Sequence, residues 1–174
     1  MSRIAVQCWV FLGLLSFFVD ANAGVVLSES FETDGNGTRY TTSISEFSDG
    51  SKDFFTRTDG TNISGGYDVG TPDGSFFFAA MDINGEGASS QQTLSFTGLD
   101  IAGETGLTFS GLIAEDDDGA NQSWDLSDFV LIEFQIDGGG FEDLLAFQSI
   151  PDGDAFNAVP ALDTDFDDDG DGTV

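Results

Sequence analysis

The chain has no histidine, one cysteine and only four basic side chains among its 174 residues. Ser-His-Asp and Cys-His nucleophilic sites both require histidine, so neither can form. Zinc catalysis is disfavoured because His and Cys are its principal ligands. So few Lys and Arg cannot neutralise nucleic-acid phosphates, and anionic membrane surfaces are disfavoured for the same reason. We therefore expect no nucleic-acid partner and no catalytic residues.

The first 23 residues have the pattern of an export signal. Arg3 precedes an apolar run over 4–19, and Ala21-Asn22-Ala23 supplies small residues suited to cleavage. A run of 16 residues is short for a membrane span, which needs roughly 20. We expect residues 1–23 to be removed, together with Cys8, to give a secreted, extracellular chain with no membrane insertion. A retained anchor is the alternative.

The remaining chain alternates β-branched and aromatic runs with Asp-Gly, Asn-Gly and Gly-Gly turns. Eighteen Phe residues and 40% apolar residues favour a folded domain over an acidic disordered chain. We predict one all-β domain over 24–162, an antiparallel β-sandwich of jelly-roll-like topology. Its predicted strands are Val25–Phe31, Thr38–Phe47, Asp53–Arg57, Ser75–Asp82, Thr93–Ile101, Leu107–Ala114, Phe129–Asp137 and Leu144–Gln148.

Alternation predicts which faces of these strands are buried. Val130, Ile132, Phe134 and Ile136 form a wholly apolar set that should face the core. The run Phe76-Phe77-Phe78 breaks alternation, which favours a strand buried on both faces.

Acidic residues outnumber basic ones by 32 to 4, a formal charge of −28, and they concentrate beside glycine in turns. One cluster is Glu115-Asp116-Asp117-Asp118-Gly119, followed by Asp125 and Asp128. If these carboxylates converge, each pair at about 4 Å repels by about 4 kcal/mol at an effective dielectric near 20, which favours a bound divalent cation. Oxygen ligands on loops suit Ca²⁺. A solvated acidic surface that needs no metal is the alternative.

Residues 163–174 form a second acidic, glycine-rich segment. Asp165, Asp167 and Asp169, followed by Gly170, match the first half of a calcium loop, and Asp163, Asp165 and Asp167 give another register. A solvated tail is the alternative here. The stop at Val174 within this segment favours a fragment of a longer protein.

Three amphipathic aromatic residues are candidates for stacking on a sugar: Tyr40, Tyr67 and Trp124. The ligand would be a polysaccharide or a cell-surface glycan. Filling the edges of the core is the alternative role for these side chains.

Several stretches together resemble a known type of module. They are Glu29-Ser30-Phe31-Glu32, residues 53–60 (DFFTRTDG), residues 75–80 (SFFFAA), residues 114–119 (AEDDDG) and residues 163–167 (DTDFD). They resemble the N-terminal β-sandwich module of large secreted, often marine, bacterial surface proteins and extracellular nucleases. The chain is more distantly similar to jelly-roll carbohydrate-binding modules, in which a Phe-Glu near the first strand helps to hold structural calcium. That resemblance implies Glu32 as a ligand.

We therefore expect a secreted, calcium-binding, non-catalytic adhesion or glycan-binding module of a larger extracellular protein. An accessory domain of a secreted nuclease or glycosidase is one alternative, and a structural spacer without a ligand is the other.

Overall fold

The structure is a computed structural model that describes residues 24–63, 73–84, 87–114, 124, 128–149 and 160–166. These residues form an all-β protein with antiparallel sheets, and they contain no α-helix. Consequently no described segment is a helix of the length and apolarity that crossing a bilayer requires. The predicted fold class is confirmed at this level.

Within the described residues, eight strands form three sheets. The strands are β1 (Thr41–Thr42), β2 (Phe47–Ser48), β3 (Phe54–Thr58), β4 (Phe77–Met81), β5 (Leu94–Ser95), β6 (Phe129–Phe134), β7 (Glu142–Ser149) and β8 (Pro160–Asp163). β1 pairs with β5, and the two three-stranded sheets have the orders β2-β3-β4 and β6-β7-β8.

The strand predictions hold best where a long apolar run has a neighbour to pair with. β3, β4, β6 and β7 each overlap a predicted strand, and β5 is a short part of another. The prediction of one strand over 38–47 is wrong, because the chain turns between β1 and β2. The strands predicted at 25–31 and 107–114 are also wrong: neither segment has a ladder partner, and Phe31 has a positive φ of 61°. β8, which ends at Asp163, was not predicted.

The chain divides into two compact units. The described part of the smaller one is 24–28 with Leu99–Gly103, where a turn is held by the Ala102 N–H donating to Asp100 at 3.0 Å. The larger unit consists of Glu29–Gly98 and Glu104–Val174, and it contains all eight strands.

The β2-β3-β4 sheet carries apolar side chains on both faces. Phe54 is fully buried and packs with Ile63 and Ala79 on one face, beside Phe77. On the other face Phe55 contacts Phe78, with ring centroids 4.9 Å apart. The prediction of a strand covered on both faces holds in part: Phe77 and Phe78 are half-buried on opposite faces of β4, and Ala80 is exposed.

Tyr40 lies at the centre of an aromatic cluster beside that second face. Its ring is 1% exposed and packs edge-on against Phe31, Phe78 and Phe96, with centroids 5.5–6.4 Å apart. Such edge-to-face pairs contribute about 0.5–1.5 kcal/mol each beyond the area that they bury.

The β6-β7-β8 sheet follows the predicted alternation in its first half only. Val130 and Ile132 are half-buried, and Phe129 and Leu131 on the opposite face are more exposed. Phe134 is exposed although the same pattern places it inside. The register shifts between Ile132 and Glu133, and such a bulge redirects the side chains that follow it.

Candidate functional site

A cavity of about 220 Å³ lies on the more exposed face of the β6-β7-β8 sheet. Pockets for drug-sized ligands are roughly 300–1,000 Å³, so this one suits a single small ring. Its lining combines carboxylates, amides, phenyl rings and aliphatic groups: Gln91, Phe129, Leu131, Asp143, Ala146, Gln148, Asp163 and Phe166.

Strand register explains why these side chains meet. Phe129 lies opposite Gln148, Leu131 lies opposite Ala146, and Ala146 in turn lies opposite Asp163. Directly opposed residues share a face of an antiparallel sheet. Three strands therefore direct one stripe of side chains into the cavity, with the small side chain of Ala146 at the centre.

Asp163 supplies a buried carboxylate at the end of β8. Its side chain is 2% exposed. Oδ1 accepts the backbone N–H of Asp165 at 3.2 Å and that of Phe166 at 2.7 Å. These bonds form an Asx-type turn, the usual way that Asp ends a strand. The turn brings Phe166, with a positive φ of 58°, to the rim of the cavity.

The other polar groups of the cavity come from β7 and from the segment before β5. Asp143 is exposed near the bulge, Gln148 is half-buried near the end of β7, and Gln91 is exposed. Phe129 and Phe166 are each 42% exposed, so their rings present apolar surface beside these groups. Planar polar side chains next to exposed rings are the chemistry that orients and stacks a small amphipathic ligand.

The predicted metal ligand Glu32 bonds instead to the backbone of the segment before β4. Its Oε1 accepts the N–H of Ser75 at 2.5 Å and that of Phe76 at 2.6 Å. These bonds, with Phe76 the larger contributor, hold the pKa of Glu32 below its usual value. Oε1 thus binds two backbone N–H groups of the segment before β4, and calcium binding by Glu32 stays a prediction.

Arg57 contacts both segments that the Glu32 side chain connects. Its guanidinium donates to the carbonyl oxygens of Phe31 and Glu32, the latter at 2.9 Å, and lies 3.7 Å from the centroid of the Phe76 ring. A second cation, Arg39, lies with Nε 2.8 Å from Oε2 of Glu29, a buried side chain. This contact is an ion pair by distance, although the atoms do not align as a hydrogen bond. Both arginines therefore stabilise the fold.

The three aromatic candidates differ in position. The structure favours the core alternative for Tyr40, because its ring presents no exposed face. Its hydroxyl donates to Oε1 of Glu46 at 3.1 Å, and burial, followed by the negative charge of Glu46, raises its pKa above the usual value. Trp124 is half-buried and donates through Nε1 to Oγ of Ser149 at 2.9 Å, next to Gln148 on β7. Tyr67 lies outside the described residues.

Of the predicted metal ligands, only four are described. Besides Glu32 and Asp163, Asp128 is half-buried and Asp165 is exposed. Within the described ranges, no three Asp, Glu, His or Cys side chains come together as a group that could hold a metal ion. The remaining predicted ligands lie outside those ranges: Asp116, Asp117, Asp118, Asp125, Asp167 and Asp169. Calcium binding by them stays a prediction.

Among the predicted site residues that the structure describes, Asp163 is the one that lines the cavity. The sequence analysis missed Gln91, Phe129, Asp143, Gln148 and Phe166, because it searched for acids beside glycine in loops. No sequence signal separates Asp143 from its neighbour Glu142, because both are charged and exposed at the start of β7.

Comparisons with protein-family models, with curated proteins and with solved structures found no significant match to this chain.

Proposed function

We propose that the chain is a non-catalytic glycan-binding module of a larger extracellular protein, and that the cavity on the β6-β7-β8 sheet is its ligand site. The observation that carries the proposal is the joint lining of this cavity by carboxylate, amide and phenyl groups. A sugar ring has hydroxyls at its edge and an apolar C–H face, so it requires both kinds of group at one site.

Each group has a distinct role in such a complex. Asp143 and Gln148 accept and donate hydrogen bonds at the hydroxyl edge of the sugar. Phe129 and Phe166 offer exposed ring faces for the C–H face. The size of the cavity, about 220 Å³, suits one sugar residue of a longer chain. The remaining residues of the glycan would lie outside it.

Two features support binding rather than catalysis. The chain has no histidine, and the only cysteine lies within the predicted signal. A glycosidase general acid needs a carboxyl pKa raised by an apolar environment. The two described carboxyl groups with clearly displaced pKa values, Glu32 and Asp59, are instead lowered, chiefly by hydrogen bonds from Phe76 and Thr61 respectively.

The proposal retains secretion, a jelly-roll-like sandwich and a stabilising role for Ca²⁺. The support for secretion is the signal pattern over 1–23. The support for calcium is the density of acids at 115–118 and at 163–171 in a chain of charge −28. Carboxylates that converge lose their mutual repulsion when a divalent cation binds them. The sandwich is supported by the three antiparallel sheets.

The test of glycan binding is a glycan array, followed by calorimetry on any glycan that binds, each with Ca²⁺ and with EDTA. Asp143→Asn keeps the side-chain shape and removes the charge at the cavity, and it should weaken binding about tenfold. Glu142→Gln is the matched control, since it removes one charge from the adjacent position on β7 and does not line the cavity. A folded protein that binds no glycan under either condition contradicts the proposal.

Calcium is tested separately by thermal unfolding. Ca²⁺ at 100 times its dissociation constant should stabilise the protein by about 2.7 kcal/mol per site. A melting temperature that is the same in Ca²⁺ and in EDTA contradicts the calcium part of the proposal and leaves the glycan part standing.

A further inference from the structure

We propose that Asn36 is a site of self-modification, at which the side-chain amide is lost by deamidation and the new carboxylate then breaks the contact with Glu46. The reaction requires water and neither an enzyme nor a cofactor. This inference is independent of glycan binding. Its basis is the sequence Asn36-Gly37 together with the hydrogen bonds that these two residues make.

The reaction is a cyclisation that the Asn-Gly sequence favours. The backbone nitrogen of Gly37 attacks Cγ of Asn36 and gives up its proton, and Nδ2 leaves as ammonia. Water then opens the cyclic imide, which yields aspartate or isoaspartate in place of asparagine. An amide and a water are thereby converted to a carboxylic acid and ammonia. Glycine has no Cβ to obstruct the closure, and Gly37 is exposed to the water that the second step consumes.

Two hydrogen bonds restrain the reacting groups in the folded protein. The Gly37 N–H donates to the carbonyl oxygen of Tyr40 at 2.8 Å, so the attacking nitrogen is engaged. The side-chain amide of Asn36 donates to Oε1 of Glu46 at 2.7 Å, which directs it towards another segment. Cyclisation requires both bonds to break, so it proceeds from an opened form of this turn. Because Asn36 and Gly37 are both exposed, opening the turn costs less than unfolding the domain.

Deamidation turns the contact with Glu46 from an attraction into a repulsion. A carboxylate accepts hydrogen bonds and cannot donate them, so the product would face Oε1 of Glu46 without a proton between the two groups. Glu46 also accepts from Tyr40, Thr56 and Arg57, and it cannot move away without losing these donors. The turn therefore has to open. The change is permanent, because hydrolysis does not restore an amide.

The buried ring of Tyr40 connects this turn to the aromatic cluster. Tyr40 is 1% exposed, and its carbonyl oxygen accepts the Gly37 N–H while its hydroxyl donates to Glu46. Opening the turn removes the first of these bonds, and repulsion at Glu46 weakens the second. We therefore expect the modification to loosen the larger unit as the protein ages, with no change in its sequence or its ligand.

The first test is peptide mapping by mass spectrometry, applied to the folded protein and to the protein unfolded in urea at the same mildly alkaline pH. Mapping separates residue 36 from Asn84, which also precedes glycine. We expect aspartate and isoaspartate at residue 36 in both samples. The folded protein should react about 10- to 100-fold more slowly, because two hydrogen bonds must break first. Equal rates overturn the proposal, and so does an Asn36 that reacts in urea and never in the folded protein.

Glu46→Gln tests the restraint on the amide. Its single amide oxygen is retained by the Arg57 N–H, so Asn36 loses its acceptor, and residue 36 should deamidate about fivefold faster. Ile63→Val is the matched control: it causes a comparable loss of global stability in the cluster around Phe54 and leaves the contacts of Asn36 intact. It should keep the wild-type rate. Equal acceleration in both variants shows that global unfolding controls the reaction, which overturns the proposal.

Asn36→Asp tests the effect of the product, because it places the same carboxylate opposite Glu46. Asn36→Ala is its control, since it loses the same hydrogen bond and gains no charge. We expect Asn36→Asp to unfold at a urea concentration about 0.5 M below that of Asn36→Ala, with a smaller difference in high salt. Equal midpoints for the two variants at low salt overturn the proposed repulsion.

Discussion

Glu46 connects four donors in the larger unit, and replacing it should destabilise the protein substantially. Its Oε1 accepts the side-chain amide of Asn36 at 2.7 Å and the hydroxyl of Tyr40 at 3.1 Å. Its Oε2 accepts the hydroxyl of Thr56 at 3.2 Å and the backbone N–H of Arg57 at 2.8 Å. Glu46→Met keeps a side chain of similar length and removes every acceptor.

The magnitude follows from what each donor can do without the carboxylate. Asn36 is exposed and turns to water, and the Thr56 hydroxyl also donates to the carbonyl of Arg57 at 3.1 Å. For the Tyr40 hydroxyl and the Arg57 N–H, the described part of the chain offers no second acceptor. An unsatisfied buried donor costs about 1–3 kcal/mol. Because Arg57 is half-buried, we expect a total near 3 kcal/mol, a large part of the 5–15 kcal/mol typical of a domain.

Glu46→Gln is the control that separates hydrogen bonding from charge. Its amide oxygen accepts from Thr56 and Arg57, and its amino group donates to the oxygen of Tyr40. We expect a loss of only about 1 kcal/mol, the net worth of one hydrogen bond. Urea unfolding measures both variants, and with m near 2 kcal/mol/M the Met variant shifts Cm by about 1.5 M. If Met and Gln cost the same, the carboxylate acts through its charge alone and this reasoning is wrong.

Three further predictions concern the backbone at Gly74 and the displaced pKa values of Glu32 and Tyr40. Gly74→Ala should lower the free energy of unfolding by more than Gly60→Ala. Both glycines have a positive φ, so each alanine costs about 1–2 kcal/mol in backbone strain. Only at Gly74 would the added Cβ also overlap the carboxylate of Glu32. The lowered pKa of Glu32 stabilises the fold above its ordinary value of 4.5, and this contribution disappears as pH falls through the folded-state pKa. Glu32→Gln should therefore reduce acid destabilisation in urea unfolding measured across pH. The raised pKa of Tyr40 gives a pH dependence of opposite sign. Its contribution to stability is complete below its ordinary pKa of 10.0 and is lost as pH rises above that value. Tyr40→Phe should therefore reduce the loss of stability at alkaline pH in the same assay.

Each of these predictions has an outcome that contradicts it. Equal losses for the two glycine variants show that the carboxylate of Glu32 moves aside at no cost. An acid transition that is unchanged in Glu32→Gln assigns the acid sensitivity to other carboxylates. A Tyr40→Phe variant with the wild-type alkaline profile shows that another group titrates there.

The fold could be predicted where residues alone decide the local structure. Phe54–Thr58 and Phe77–Met81 form strands because aromatic and β-branched side chains cover both faces of the sheet. The segment at 107–114 has comparable apolar content and forms no strand, because a strand requires a partner edge, which the local pattern does not specify. The positive φ at Phe31 is similarly determined by contacts distant in sequence, including Arg57 donating to its carbonyl oxygen.

The site was less predictable than the fold because none of its residues belongs to a recognisable sequence motif. Gln91 and Gln148 carry no spacing signal, and they meet Asp143 and Asp163 only through strand register and the turn after β8. A loop motif is readable from spacing because its ligands are neighbours in sequence. A cavity on a sheet face is not, because its lining depends on which strands are adjacent and on a bulge between Ile132 and Glu133.

The scarcity of basic residues has a structural consequence that links the fold to the charge of the cavity. Both arginines of the described core bind groups near the first strands, Arg39 at Glu29 and Arg57 at the carbonyls of residues 31 and 32. No arginine therefore lines the cavity around Asp163. An acidic site in an acidic protein retains its full charge only if the few cations are held elsewhere. The same contacts that order the first strands thus leave Asp143 and Asp163 without a basic neighbour among the residues that line the cavity.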